Sequence, residues 1–441
     1  MPKAVNTIIN ARWIIPVAEE DTEDCLPHHS LVIHQGKIEA ILPTETVNEH
    51  YSAEQSINLG DHALIPGLIN AHTHASMSLF RGLADDLPLM DWLNNHIWPA
   101  EAQWVNADFV KDGTRLAIAE MIKSGTTCFN DMYFFPDITA QVAAASNMRA
   151  TVGMIVIDFP SNWAADQDDY FDKGLQVHDL FKDHPLIQAA FAPHAPYSVS
   201  DEPLQRIQML ADELNAPIHM HVHETIDEIN LGMEHHQCRP IERLNRLGLL
   251  SPSLMAIHMT QLSDEDIRLV AETGTQVVHC PQSNLKLAAG FCPLQKLVEN
   301  NINVALGTDS AASNNNLDML NEMQTAALLA KGVSGNAEAL PALQALKMAT
   351  INGAKALGLD SETGSLQVGK SADITAIDMN RPGTEPVYNP ISQLVYASQS
   401  ADVSDVWIAG KQVLKNRQLT LMDEKDIIEK ARNWQKRIVS A

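Results

Sequence analysis

Three kinds of residue in this chain have the types and spacing to do chemistry together. They are paired histidines, a glutamate beside one such group, and an aspartate that closes an apolar run. In "PGLINAHTHASMSLFRG" (66–82), His72 and His74 stand one residue apart at the end of an apolar stretch. His194 follows "LIQAAFAP", and His219, His221 and His223 alternate in "APIHMHVHE", with Glu224 next. His258 closes "SLMAI", His279 closes "TQVV", and Asp309 closes "NVALGT". Buried parallel strands are normally apolar throughout. A lone buried histidine is ordinary core, but a histidine or aspartate at six such strand ends forms a pattern.

Side chains two apart on a strand point to the same face. His72 and His74 can therefore reach one ion. A later histidine and Asp309 bring the set to three histidines and one carboxylate, which suits a catalytic zinc with an open position. Iron or manganese would accept the same donors. Alternation does not choose among His219, His221 and His223, which share a face.

These residues need a frame that gathers strand ends. Helical patterns such as "DGTRLAIAEMIKSG", "LQRIQMLADELN" and "DEDIRLVAETG" each precede a short apolar run. Helix–strand alternation on this scale predicts βα units and a parallel sheet. The number of units favours an α/β fold closed as a (β/α)8 TIM-like barrel, whose functional groups sit at the C-terminal strand ends. The outer segments differ. "NTIINARWIIPV" and "SLVIHQGKIEAILP" near the start, and "GSLQVGKSADITAID" and "SDVWIAGKQVLKNRQL" near the end, read as short strands with glycine turns. The expected organisation is a composite β-sandwich domain from residues 1–60 and 366–441, around a metal-dependent catalytic barrel over 61–365. No GxGxxG or GxxxxGK[ST] occurs, so dinucleotide and P-loop readings have no support.

Composition narrows the partners. The 441 residues carry 30 Lys and Arg against 55 Asp and Glu, a formal net charge of −25. Such a surface repels polyanions, which excludes nucleic acid and anionic membranes as natural partners. No apolar run approaches the ~20 residues of a membrane span, and the N-terminal stretch lacks a signal-peptide pattern. Five scattered cysteines without CxxC spacing suit a reduced, cytoplasmic protein.

The motifs "PGLINAHTH", "HVHET", "AIHMTQL", "HCPQSNLKLAAG" and "GTDSAASNNNLDM" resemble the amidohydrolase superfamily. Within it they look like the branch that deaminates 5′-methylthioadenosine and S-adenosylhomocysteine, alongside guanine deaminase and triazine hydrolases. The resemblance runs over nearly the whole chain. It implies a metal-dependent aminohydrolase that uses a metal-activated hydroxide to convert the nucleoside to its inosine derivative and ammonia. It breaks the histidine tie in favour of His221, three residues before Glu224, so the implied ligands are His72, His74, His221 and Asp309. Glu224, His258 and Asp309 become the catalytic residues. "HPLIQAAFAPHAPYSVS" lacks the lysine of binuclear members, which implies one Zn2+ per subunit. His219, His223 and His279 are left structural.

Substrate binding is implied for four more residues. "LPLMDWLNNHIWPAEAQW" (87–104) reads as a helical lid, or equally as an amphipathic helix packed on the barrel. Through the resemblance its Glu101 binds the ribose hydroxyls and its Trp92 lines the pocket. His194 matches another substrate position, and Arg149 a residue associated with the substrate tail. The superfamily also implies a homo-oligomer. No arginine lies between Arg149 and Arg206 to grip an amino-acid carboxylate. The neutral methylthio compound is therefore the expected preference, with Leu89, Met90 and Trp92 as apolar contacts. The alternatives are a deaminase of a free purine or other heteroaromatic, of guanine or triazine type, and a non-catalytic scaffold of the same fold. Glu101 speaks for a nucleoside, and the complete ligand set speaks for an enzyme.

Overall fold

The computed structural model describes residues 1–18 and 24–440. Alternating apolar residues near the N-terminus form β1 (Lys3–Ile14), β2 (Leu26–His34) and β3 (Lys37–Pro43). The β2–β3 turn places Gln35 and Gly36 at φ 50° and 80°. A Cβ on Gly36 would stand 2.8 Å from the Ala409 carbonyl oxygen, so glycine serves both the turn and the contact. β4 (Tyr51–Pro66) runs parallel to β1. From the other end of the chain come β13 (Ile374–Asp378), β14 (Val403–Ile408), β15 (Lys411–Lys415) and β16 (Gln418–Leu419).

The termini do meet. β13 lies antiparallel to β4 with Ala376 opposite Leu64. The result is one mixed sheet in the order β16-β15-β14-β13-β4-β1-β2-β3. Ile9, Ile14, Leu31, Leu64, Ile374 and Trp407 form its buried core. Residue 60 is interior to β4, so the sheet hands over to the barrel at Gly67 rather than at 60/61. The helix Glu424–Val439 also leaves the sheet. It packs on the barrel helix Ala107–Lys123, where Trp434 Nε1 donates to Asp112 at 3.1 Å.

The second sheet is the barrel. Its strands are β5 (Leu68–Thr73), β6 (Thr126–Asp131), β7 (Arg149–Val156) and β8 (Ile187–Pro193), then β9 (Ile218–Val222), β10 (Leu254–His258), β11 (Gln276–His279) and β12 (Val304–Leu306). They lie in sequence order and pair in parallel, as short strands with helical crossovers must. The last strand returns to the first: Asp309 N–H donates to the His72 carbonyl at 3.0 Å, and Thr308 N–H to Asn70 Oδ1 at 3.0 Å. A Cβ on Gly307 would lie 2.8 Å from the His72 Cβ, so closure here needs glycine. Over the C-terminal mouth lies the segment Leu89–Trp104, a helix whose middle turn, Leu93–Ile97, is a π-helix. Among the described residues no helix is long and apolar enough to cross a membrane.

Candidate active site

β5 ends in His72 and Thr73, and His74 follows it. His221 lies in β9, and Asp309 three residues past β12. The donor atoms of His72, His74, His221 and Asp309 all fall within 4.8 Å of one another. Asp309 Oδ1 is 3.2 Å from Nε2 of both His72 and His74.

Each histidine uses its other nitrogen for orientation. His72 Nδ1 lies 2.8 Å from His219 Nε2, His74 Nδ1 meets the Met132 carbonyl, and His221 Nδ1 lies 2.8 Å from the His194 carbonyl. Three Nε2 atoms are thus left to converge, the usual arrangement of metal-bound imidazoles. His72 Nε2 is buried and has no hydrogen-bond partner. Burial lowers the His72 pKa to about 3, so the ring is neutral, the form that ligates. The residues present therefore fit one divalent ion. Asp309 Oδ2 faces away from the histidines and accepts from Ser283 Oγ at 2.6 Å and Ser313 Oγ at 2.7 Å. Burial opposes the charge on Asp309, yet the adjacent His72 and His74 rings hold its carboxyl well below the usual range.

Glu224 lies two residues past the end of β9. It does not cap the next helix: Thr225 does, accepting from Glu228 N–H. Glu228 accepts instead from the backbone N–H groups of His223 and Glu224, at 2.9 and 2.8 Å. The Glu224 carboxyl is left facing His258, with Oε1 3.6 Å from His258 Nε2. Burial, helped by nearby Asp309, raises the Glu224 pKa against the pull of His258. His223, His258 and Asp309 have φ of 54°, 74° and 59°. Left-handed backbone at such residues costs about 1–3 kcal/mol each and clusters where function demands a geometry.

A cavity of about 500 Å³ opens over this cluster and under the lid. It brings together His74, Trp92, Glu101, His194, His221, Glu224, His258 and Asp309. Trp92 is buried and anchored by Nε1 to the Ala84 carbonyl. Glu101 Oε1 accepts from Tyr133 Oη at 2.7 Å. Burial, partly offset by that hydrogen bond, pushes the Glu101 carboxyl up to about 7. His194 Nδ1 is 2.9 Å from Ser198 Oγ, and burial keeps the ring neutral, with a pKa of about 4.

Arg149 is placed elsewhere, which corrects the expectation of a tail ligand. It is the first residue of β7, at the opposite end of the barrel from the cavity. Its guanidinium binds Asp373 Oδ2 at 2.9 Å and Ser371 Oγ at 3.0 Å, pinning the terminal sheet to the barrel floor. Met90 is likewise absent from the cavity wall, whereas Leu89 and Trp92 are in it. Sequence reasoning missed Tyr133, Ser283, Asn284 and Ser313. Tyr133 lies just past β6, a position that could have flagged it. Hydroxyls and amides in a motif carry no spacing signal of their own.

A parallel barrel holding three histidines and an aspartate at its C-terminal mouth defines a metal-dependent hydrolase scaffold. Residues 63–413 match the Amidohydrolase family, and the chain belongs to it. It is 50% identical over 432 residues to a 5-methylthioadenosine/S-adenosylhomocysteine deaminase of Teredinibacter turnerae, covering 98% of this chain and 97% of the relative. A 5′-deoxyadenosine deaminase of Methanosarcina acetivorans is 42% identical, with 94% of each chain covered. The crystal structure of an adenosine deaminase from Xanthomonas campestris with bound zinc superimposes with a TM-score of 0.98 at 47% identity, over 100% of both chains.

Proposed function

We propose that this chain hydrolytically deaminates 5′-methylthioadenosine, and S-adenosylhomocysteine less well, to the inosine derivative and ammonia. The observation that carries the reading is a single cavity. It joins the four-ligand cluster, a buried carboxyl with a raised pKa beside His258, and a second buried carboxyl on the lid.

His72, His74, His221 and Asp309 would hold the ion, with zinc the proposed metal, one per subunit. When bound, such an ion lowers the pKa of a coordinated water toward 7. The remaining chemistry belongs to side chains. Asp309 Oδ1 accepts a proton from the attacking water. Glu224, whose burial favours the protonated form, donates to adenine N1 as oxygen adds to C6. His258 orients the attacking oxygen. Asp309 then passes its proton to the amino group, the C6–N bond breaks and ammonia leaves as the new C6 hydroxyl becomes a carbonyl, and the hydroxyl proton returns to Glu224, whose own proton stays on N1. Glu101 accepts from the ribose hydroxyls, and Trp92 and His194 bound the base.

Among the described residues no lysine or arginine lines the cavity, whereas Leu89, Trp92 and Phe159 do. A neutral thioether gains apolar contact there, and a tail carboxylate finds no fork to bind it. We therefore expect methylthioadenosine to be favoured in kcat/KM about tenfold, worth ~1.4 kcal/mol. Loss of adenine absorbance with the two substrates tests this. A preference for S-adenosylhomocysteine refutes the tail argument, and no turnover of either refutes the function. Buried thiols at Cys128, Cys238, Cys280 and Cys292 support a cytoplasmic setting. A homo-oligomer rests on the resemblance alone, and light scattering tests it.

A further inference from the structure

The stretches "HCPQSNLKLAAG" and "GTDSAASNNNLDM" supply more than His279 and Asp309. The first forms the six-residue helix Pro281–Lys286, which follows β11 and carries Ser283 and Asn284 side by side. Ser283 Oγ binds Asp309 Oδ2 at 2.6 Å, and Asn284 Oδ1 lies 2.8 Å from His258 Nδ1. Ser283 and Asn284 are 0% and 2% exposed, so water does not compete for either contact. The buried Glu322, from the helix Met319–Ser334, ties the two stretches together: it accepts from the backbone N–H of Gln282 at 3.2 Å and from Asn314 Nδ2. Adjacent residues of one short helix thus hold two different groups of the reaction centre.

Asn284 also bears a cost. Its Nδ2 is buried without a hydrogen-bond partner. An unsatisfied buried donor is destabilising, and an aliphatic side chain would fill the position without that penalty. Packing alone does not explain an asparagine here, whereas its carbonyl oxygen does. A neutral imidazole has one donor nitrogen and one acceptor nitrogen, and the partner of the first fixes the second.

We propose that Asn284 is a positioning residue that fixes His258 as its Nδ1–H tautomer and so presents an unprotonated Nε2 toward Glu224 and the reacting atoms. The inference rests on the deamination described above. In this tautomer Nε2 accepts from the attacking water and leaves that oxygen's lone pair directed at C6. In the other tautomer Nε2–H would donate to the same oxygen and compete for the lone pair.

The test compares Asn284→Leu with Asn284→Asp, in the wild-type and His258→Ala backgrounds. The measurements are metal content, and kcat and KM on methylthioadenosine. Asn284→Leu is expected to lower kcat by about 100-fold, the low end of what a positioned proton-transfer group supplies. KM should stay within about threefold and bound metal should be unchanged. Asn284→Asp keeps the acceptor and should recover kcat to within about tenfold of wild type. In His258→Ala, Asn284→Leu should change kcat by less than about threefold, because residues acting as one unit are not additive. Wild-type kcat in Asn284→Leu overturns the proposal. So does an aspartate variant as impaired as the leucine variant, or a full further loss in the His258→Ala background, which a merely structural role would give. Asn284→Ala replaces the leucine variant, with the same expectations, if the latter does not fold. Wild-type turnover tests the reaction and the variant ratios test Asn284, so the two failures are distinguishable.

Discussion

Replacing Glu101 with alanine separates ribose recognition from deamination chemistry. The carboxyl is on the lid, bound to Tyr133 Oη at 2.7 Å, and burial sets its pKa at about 7. At pH 8.5 it is ionised and accepts strongly from a ribose hydroxyl. A hydrogen bond to a charged group contributes about 1.5–3 kcal/mol, or roughly 10- to 150-fold in kcat/KM. At pH 5.5, with a pKa of about 7, only about 3% of the carboxyl is ionised, so most of that advantage is already lost in the wild type. The assay is kcat/KM for methylthioadenosine and for free adenine, at both pH values, in wild type and Glu101→Ala. Dividing the nucleoside value by the adenine value cancels the titration of Glu224, which both substrates need. The quotient should fall 10- to 150-fold in the variant at pH 8.5, by the charged hydrogen-bond magnitude above, and only a few-fold at pH 5.5. Equal losses on adenine and nucleoside would refute the role of Glu101, as would a quotient indifferent to pH.

Asp309→Asn should abolish turnover while the fold survives, with a melting temperature no lower than that of the chelated wild type, because the amide oxygen can still accept from Ser283 and Ser313; wild-type-like kcat would contradict the assigned role. Gly307→Ala should destabilise by about 1–3 kcal/mol, since its new methyl meets the His72 Cβ at 2.8 Å, and calorimetry reads the shift directly. Chelation should remove activity and lower the melting temperature together, with Zn2+ restoring both, because four ligands from three separated stretches of chain are held by one ion. Activity that survives complete metal removal would argue against the site.

Some of this protein is written locally. The period of two along β5 sends His72 and the following His74 to one ion, and the apolar runs before His194, His258 and Asp309 mark strand ends whatever the rest of the chain does. The strand-like style of both termini was legible for the same reason, since alternation and turn glycines are short-range signals. Depth was not. His219, His221 and His223 look alike in the sequence, yet His219 binds His72 from below and His221 faces the ion. His223 leaves the face through a left-handed turn, and its Nε2 accepts from Ile241 N–H at 3.1 Å. Arg149 shows the same limit. A charged residue beside an apolar run can lie at either end of the strand, and here it opens β7 on the floor of the barrel, paired with Asp373. Which end of a strand faces the ligand, and how far along it a side chain reaches, depends on the stagger between neighbouring strands. That stagger is fixed only when the sheet closes on itself, and here the last strand closes on the first at Gly307, against His72.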